Sequence, residues 1–208
     1  MQISSIQSNP YITATSNSNK NSTSNDKIVD YSNLKNLDEL KSLSYKEVKS
    51  NYDEIQISVD KMLQTLQEKE GMEVASYAMD VLSIIKSPLS KNESANEAVF
   101  NTASQMGNRI ERNVFMDELH HNIADYAGGK KVEASFMIGD NVHVIEPLTK
   151  QQMNGINFDD FLSTMLSNFG NDVSTSGGSV KQQYQGIVDG YSLLKQNYDF
   201  QKSEPIYA

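Results

Sequence analysis

Two of the chain's three histidines, His120 and His121, stand together in the stretch FMDELHHNIADYAGG (115–129), beside Asp117, Glu118 and Asp125. Imidazole and carboxylate side by side are the raw material of metal ligation and of general acid–base chemistry. Glu118 and His121 form a Glu-x-x-His pair, which puts a carboxylate and an imidazole one helical turn apart. Di-metal carboxylate bundles use this spacing, but they need two such pairs and further glutamates turned into a bundle interior. This chain has one pair. Its remaining histidine, His143, would have to fold back to join Glu118, His121 and Asp125 in a single polar site. Projected on a helix, Phe115, Leu119, Ile123 and Tyr126 share one arc, which must be the buried face. His121 falls nearly opposite, with Asp117, Glu118 and Asp125 around it, and His120 sits at the flank. The stretch is read as the solvated side of a helix, with no catalytic or metal-binding residue assigned. A dispersed polar site of Glu118, His121, Asp125 and His143 is the alternative.

Other chemistry is sparse. GINFDDFL (155–162) echoes the end of a calcium-binding helix–loop–helix. With Ile156 and Asp160 in their usual places, the early ligand positions would hold Thr149, Gln151 and Met153, and a thioether does not serve a hard cation. Gly177 and Gly178 lack the lysine and downstream pattern of a phosphate-binding loop. There is no cysteine, which excludes disulfides, thiolate metal sites and a thiol nucleophile. No cofactor is implied.

The formal charge is −9 over 208 residues. No basic run interrupts it, so nucleic acid and anionic membranes are poor partners. No apolar run reaches the roughly 18–20 residues needed to span a bilayer, and no apolar segment near the N-terminus marks a cleaved secretory signal. The expectation is a protein that is cytoplasmic, or exported without a cleaved signal peptide.

The elements that must position these residues follow from periodicity. ATSNSNKNSTSN (14–25) has no large apolar side chain and cannot offset the entropy of ordering. Residues 1–33 are therefore read as a disordered arm, in which Ile3, Ile6, Tyr11 and Ile12 could order on a partner. A helical domain is expected over 34–200 and a short tail over 201–208. Ser44 to Glu47 fits a capping box, opening an apolar seam (Tyr45, Val48, Tyr52, Ile55, Val59, Met62, Leu66) in steps of three and four. Gly71 is a natural helix stop. The helix Met72 to Ile85 is apolar on nearly all sides, as if buried on several faces. Ser94 to Glu97 is a second capping box, opening a helix to Tyr126 that Gly128 and Gly129 end. Alternating Val132, Ala134, Phe136 and Ile138, a Gly139-Asp140-Asn141 turn, and Val142, Val144 and Ile145 predict a β-hairpin at 131–146. Asn157 caps a helix closed by Gly170, NDVSTSGGS (171–179) is a loop, and Tyr184, Ile187, Tyr191, Leu194 and Tyr198 form a second seam. The two seams are expected to share a bundle and to pack on each other. The fold class is mainly α (α+β), a helical bundle with one hairpin and a disordered N-terminal arm.

Tyr45, Tyr52, Tyr184, Tyr191 and Tyr198 all lie on the seams. Their hydroxyls either reach the wet rim of a bundle or form a protein-binding surface, where tyrosine is enriched. MQISSIQSNP, the polar tract to Asn25 and the two terminal seams together resemble substrates of the bacterial flagellar-type export system, such as flagellin and hook-associated proteins. The resemblance covers residues 1–66 and 184–208, and implies export by that route. The functional expectation is a non-enzymatic interaction or structural protein that binds a protein partner or itself through its seams. The alternative is a small cytosolic enzyme or ligand-binding domain with the dispersed His/carboxylate site.

Overall fold

The computed structural model describes residues 29–132 and 148–203. The chain there is mainly helical: a 3-10 turn (Tyr31–Asn33), then α1 (Leu37–Lys41), α2 (Tyr45–Ser50), α3 (Tyr52–Thr65), α4 (Glu68–Lys86), α5 (Glu93–Gln105), α6 (Arg109–Ala127), α7 (Lys150–Gly155), α8 (Phe158–Thr175) and α9 (Gly178–Ser203). No strand occurs among the described residues, so the expected hairpin is not seen. Of its span, Lys131 and Val132 are irregular, and 133–146 lie outside the described residues, His143 with them. Ile3, Ile6, Tyr11 and Ile12 also lie outside.

Helix starts follow local side-chain chemistry. Ser44 Oγ accepts from the Glu47 N–H at 3.3 Å while Glu47 Oε2 accepts from the Ser44 N–H at 2.8 Å, the expected capping box. Asn157 caps α8 by accepting from the Asp160 N–H at 3.2 Å. The stop after α6 is also as expected. Gly129 takes φ +67, and the Lys130 and Gly129 N–H groups donate back to the Asp125 and Tyr126 carbonyls at 2.8 and 3.0 Å.

Other boundaries differ from expectation. The first seam is divided at Asn51, whose Nδ2 donates to the Glu47 carbonyl at 2.8 Å and ends α2. Gly71 is inside α4, which begins after the extended Leu66 and Gln67 with Glu68 and Glu70 in its first turn. Acids there favour the helix N-terminus, and glycine permits a stop without imposing one. Asn92, two residues before Ser94, caps α5 by accepting from the Ala95 N–H at 3.3 Å; asparagine and serine are equally good caps. The long helix expected to run from Ser94 to Tyr126 breaks at Met106–Asn108, where Asn108 Oδ1 recaps α6 on the Ile110 N–H at 2.9 Å. Gly170 does not close α8, and the expected loop shrinks to Ser176 and Gly177 because Ser174 and Thr175 bond back to the Asn171 carbonyl at 2.7 and 3.0 Å. At the ends, α9 reaches Ser203, into the span read as a tail. Tyr31–Asn33, read as part of the arm, packs on α3, where Ser58 Oγ donates to the Tyr31 carbonyl at 2.7 Å.

The second seam, on α9, packs most extensively on α5 and α8, whereas α3 packs chiefly on α4 and the 3-10 turn. The seams therefore share one core but do not pair extensively with each other. Between them stands α5: its Phe100 ring meets Tyr45 at 5.5 Å, and its cap Asn92 donates to the Tyr198 hydroxyl at 2.8 Å. α6 packs on both α4 and α9. At the α9 crossing, a Cβ on Gly190 would sit 2.3 Å from Phe115 Cδ2, so only glycine allows this approach.

Candidate functional site

Of the arc assigned to the buried face of α6, Phe115, Leu119 and Ile123 are buried, while Tyr126 is half-buried with its hydroxyl donating to Asp160 Oδ2 at 2.6 Å. The opposite arc is not uniformly wet. Glu118 is only 1 % exposed, because α6 is covered by helices on two sides and not one. Its charge lies close enough to add to the rise of the Tyr191 phenol pKa, which burial drives far above the ordinary range. Asn122 donates to the Tyr191 hydroxyl at 2.9 Å in the same buried layer. His121 is half-buried, its Nδ1 2.9 Å from the Asp117 carbonyl and 3.8 Å from Asp117 Oδ1. Asp125 lies toward Lys130 Nζ at 3.7 Å. His121 and Asp125 thus turn to different neighbours, Asp117 and Lys130. Among the described residues, no group of three or more His, Asp or Glu side chains is arranged to hold a metal ion.

Three of the seam tyrosines serve the core. Tyr45, Tyr191 and Tyr198 are buried. Tyr191 stacks on Phe169 at 5.9 Å and meets Phe115 edge-on at 5.4 Å, and Tyr198 meets Phe158 at 4.9 Å. Tyr52 and Tyr184 are half-buried at its rim.

Sequence reasoning missed the layer between α4 and α6. These helices run side by side in one direction, as the pairs Glu73–Arg109, Ser76–Asn113 and Asp80–Arg112 show. Arg112 is 1 % exposed. Its Nε donates to Asp80 Oδ2 at 2.7 Å, its Nη2 donates to Ser76 Oγ at 2.9 Å, and its guanidinium lies 5.4 Å from the centre of the Tyr77 ring. Asn113, with its amide nitrogen turned to Asp80 Oδ2 at 2.9 Å, adds a second donor. Burial nevertheless raises the Asp80 carboxyl above its ordinary value, outweighing the guanidinium beside it. No local pattern announces such a pair, because a lone arginine in an amphipathic helix usually snorkels to water.

Outside this layer the same two helices present apolar side chains to solvent. On α4 these are Met72 (48 % exposed), Ala75 and Met79 (65 %); on α6 they are Ile110 (66 %) and Val114 (44 %). α4 is buried on several faces, as its all-round apolar character implies, and this stripe is the face that stays open. Where the stripe ends, an open cleft of about 420 Å³ is lined by Met79, Asp80, Ser83, Asn113, Asp117 and His120. It holds no nucleophile–base pair: the Ser83 hydroxyl donates to the Asp80 carbonyl at 3.3 Å, and His120 Nδ1 faces the Met116 carbonyl at 2.6 Å. No helix among the described residues is long and apolar enough to cross a membrane. The sequence matches no protein-family model, no curated protein and no solved structure.

Proposed function

We propose that the chain is a non-enzymatic protein-interaction or structural protein, exported by a flagellar-type route, with the α4–α6 face as its docking surface. The observation that carries this reading is the apolar stripe Met72, Ala75, Met79, Ile110 and Val114, which the chain leaves exposed although its core is otherwise closed by aromatic packing. Contiguous exposed apolar side chains on a folded domain mark interaction surfaces, and methionine suits them because it adapts to its partner. The competing reading, an enzyme built on Glu118, His121, Asp125 and His143, needs a group of ligating or titrating side chains, and none arranged to hold a metal ion forms among the described residues, His143 lying outside them. Export rests on the polar composition of the N-terminal segment and on its resemblance to flagellar-type substrates.

The surface is tested by placing a photo-crosslinking residue at position 79, at 114, or at the exposed Ile57 on α3, in the native host. A discrete product from 79 and 114 but not from 57 is expected; equal labelling or none would remove the α4–α6 face from consideration. Export is tested by deleting residues 2–28. Loss of the protein from the exported fraction with an unchanged melt is expected, and unchanged export would sink that part of the reading.

A further inference from the structure

We infer that the cleft at the end of the α4–α6 stripe is a binding site for a primary ammonium group, and that it seats a lysine side chain of the docking partner. This rests on the interaction reading above. Two carboxylates of the cleft, Asp80 and Asp117, have acceptor oxygens to spare. Asp80, itself only 6 % exposed, uses Oδ2 to hold Arg112 and Asn113, while its Oδ1 accepts from no donor among the described residues. His120 Nδ1 lies 2.6 Å from the Met116 carbonyl, so this ring nitrogen is engaged within α6. The Ser83 hydroxyl donates its hydrogen bond to the Asp80 backbone carbonyl at 3.3 Å. The Asp117 carboxylate is 66 % exposed, with His121 Nδ1 no closer than 3.8 Å.

Two carboxylates beside apolar surface select a ligand that joins a cationic donor to a hydrocarbon stem. An alkylammonium carries three N–H donors and no acceptor, whereas a hydroxyl would bring lone pairs against lone pairs. A bare metal ion is a poor fit, since these groups do not form a ligand set among the described residues. Met79 at the lip supplies apolar surface for the methylene stem of a lysine. Met72, Ile110 and Val114 continue the exposed apolar stripe from there, which suits apolar residues flanking that lysine better than a free amine. The chain's formal charge of −9 attracts such a partner at long range.

The test titrates the full chain with n-butylammonium, following the Met79 methyl and the His120 ring protons by NMR. A saturable shift is expected with n-butylammonium, and none with n-butanol, which lacks the charge, or tetramethylammonium, which lacks the donors. Asp117→Asn should weaken binding about tenfold, the scale of one charge-assisted hydrogen bond, without changing the melt. Equal saturation by either control, or an indifferent Asp117→Asn, would overturn the ammonium site while leaving the crosslinking result at 79 and 114 standing. A short acetylated peptide with leucines around one lysine should bind about tenfold tighter than n-butylammonium, as added apolar burial predicts, and lose that gain in Val114→Ser. A peptide no tighter than the bare amine would overturn the assignment to a partner's lysine.

Discussion

On the side of α6 that meets α9, Phe115 fills the space opposite Gly190 and joins an aromatic layer with Tyr191 and Phe169. On the side that meets α4, a buried guanidinium is held by Asp80 and Ser76, and the outer edge of the contact stays open to water. The first contact gains from close packing and tolerates no added atom. The second must offset the desolvation of two charges, so it adds little net stability for the area it covers. A polar layer of this kind fixes which helix lies beside which, and it leaves apolar side chains on its outer edge for a partner to cover.

Four measurements would break or sharpen this contrast. The largest effect is expected at Arg112: Arg112→Met strands the Asp80 carboxylate in the interior and should cost about 3–5 kcal/mol in denaturant unfolding. Adding Asp80→Leu should recover most of the loss; failure to recover would mean that the pair contributes more than partnering its own charges. On the α9 side, Gly190→Ala drives a methyl into Phe115 and should cost about 1–3 kcal/mol. Gly186→Ala, four residues away with nothing within 4 Å of its Cβ position, should stabilise α9 by up to about 1 kcal/mol. Opposite signs at these two glycines are the signature of a close-packed crossing, and matching signs would deny it.

A smaller effect separates the two candidate caps of α5. Asn92→Ala should lower stability by about 1 kcal/mol, and by more if its bond to Tyr198 also matters. Ser94→Ala should change it by less than about 0.5 kcal/mol, as at an ordinary surface position. The smallest effect is at Glu47, remote from both sides of α6. The Ser44 hydroxyl hydrogen-bonded to it is the largest cause holding its carboxyl below the ordinary value of a glutamate. A depressed carboxyl stabilises the fold above its unfolded pKa and loses that contribution as pH falls through its folded value. Stability of the wild type should therefore decline more steeply than that of Glu47→Gln as pH falls below about 4.5. Parallel curves would show that the capping box gains nothing from the charge.

What the sequence revealed was what lies within a few residues. Ser44 and Glu47, Asn157 and Gly128–Gly129 mark helix ends through bonds to their own neighbours, and each was legible. The arc Phe115, Leu119, Ile123 was legible because one helix suffices to define it. Glu118 was misplaced because periodicity gives an angle around a helix and cannot say whether a second helix covers it. Asn92 was passed over because two good caps stand within three residues, and only tertiary contacts such as that with Tyr198 distinguish them. The α4–α6 layer was invisible for the same reason: Asp80 and Arg112 are 32 residues apart and each alone reads as a surface charge. The stripe was half legible: α4 reads as apolar on nearly all sides, but periodicity does not say which of those sides stays uncovered.

Only Ser176 and Gly177 separate α8 from α9, and these two helices form one of the most extensive pairings in the molecule. In kinetic terms, closing so short a link costs little chain entropy, so this hairpin can zip up from its own turn on the fast timescale of local contacts. The equally extensive α5–α9 pairing must instead wait for a loop of roughly seventy residues to be drawn in. The consequence is an order of assembly: the C-terminal hairpin forms a ready template, and α5 docks onto it late, bringing the rest of the bundle with it.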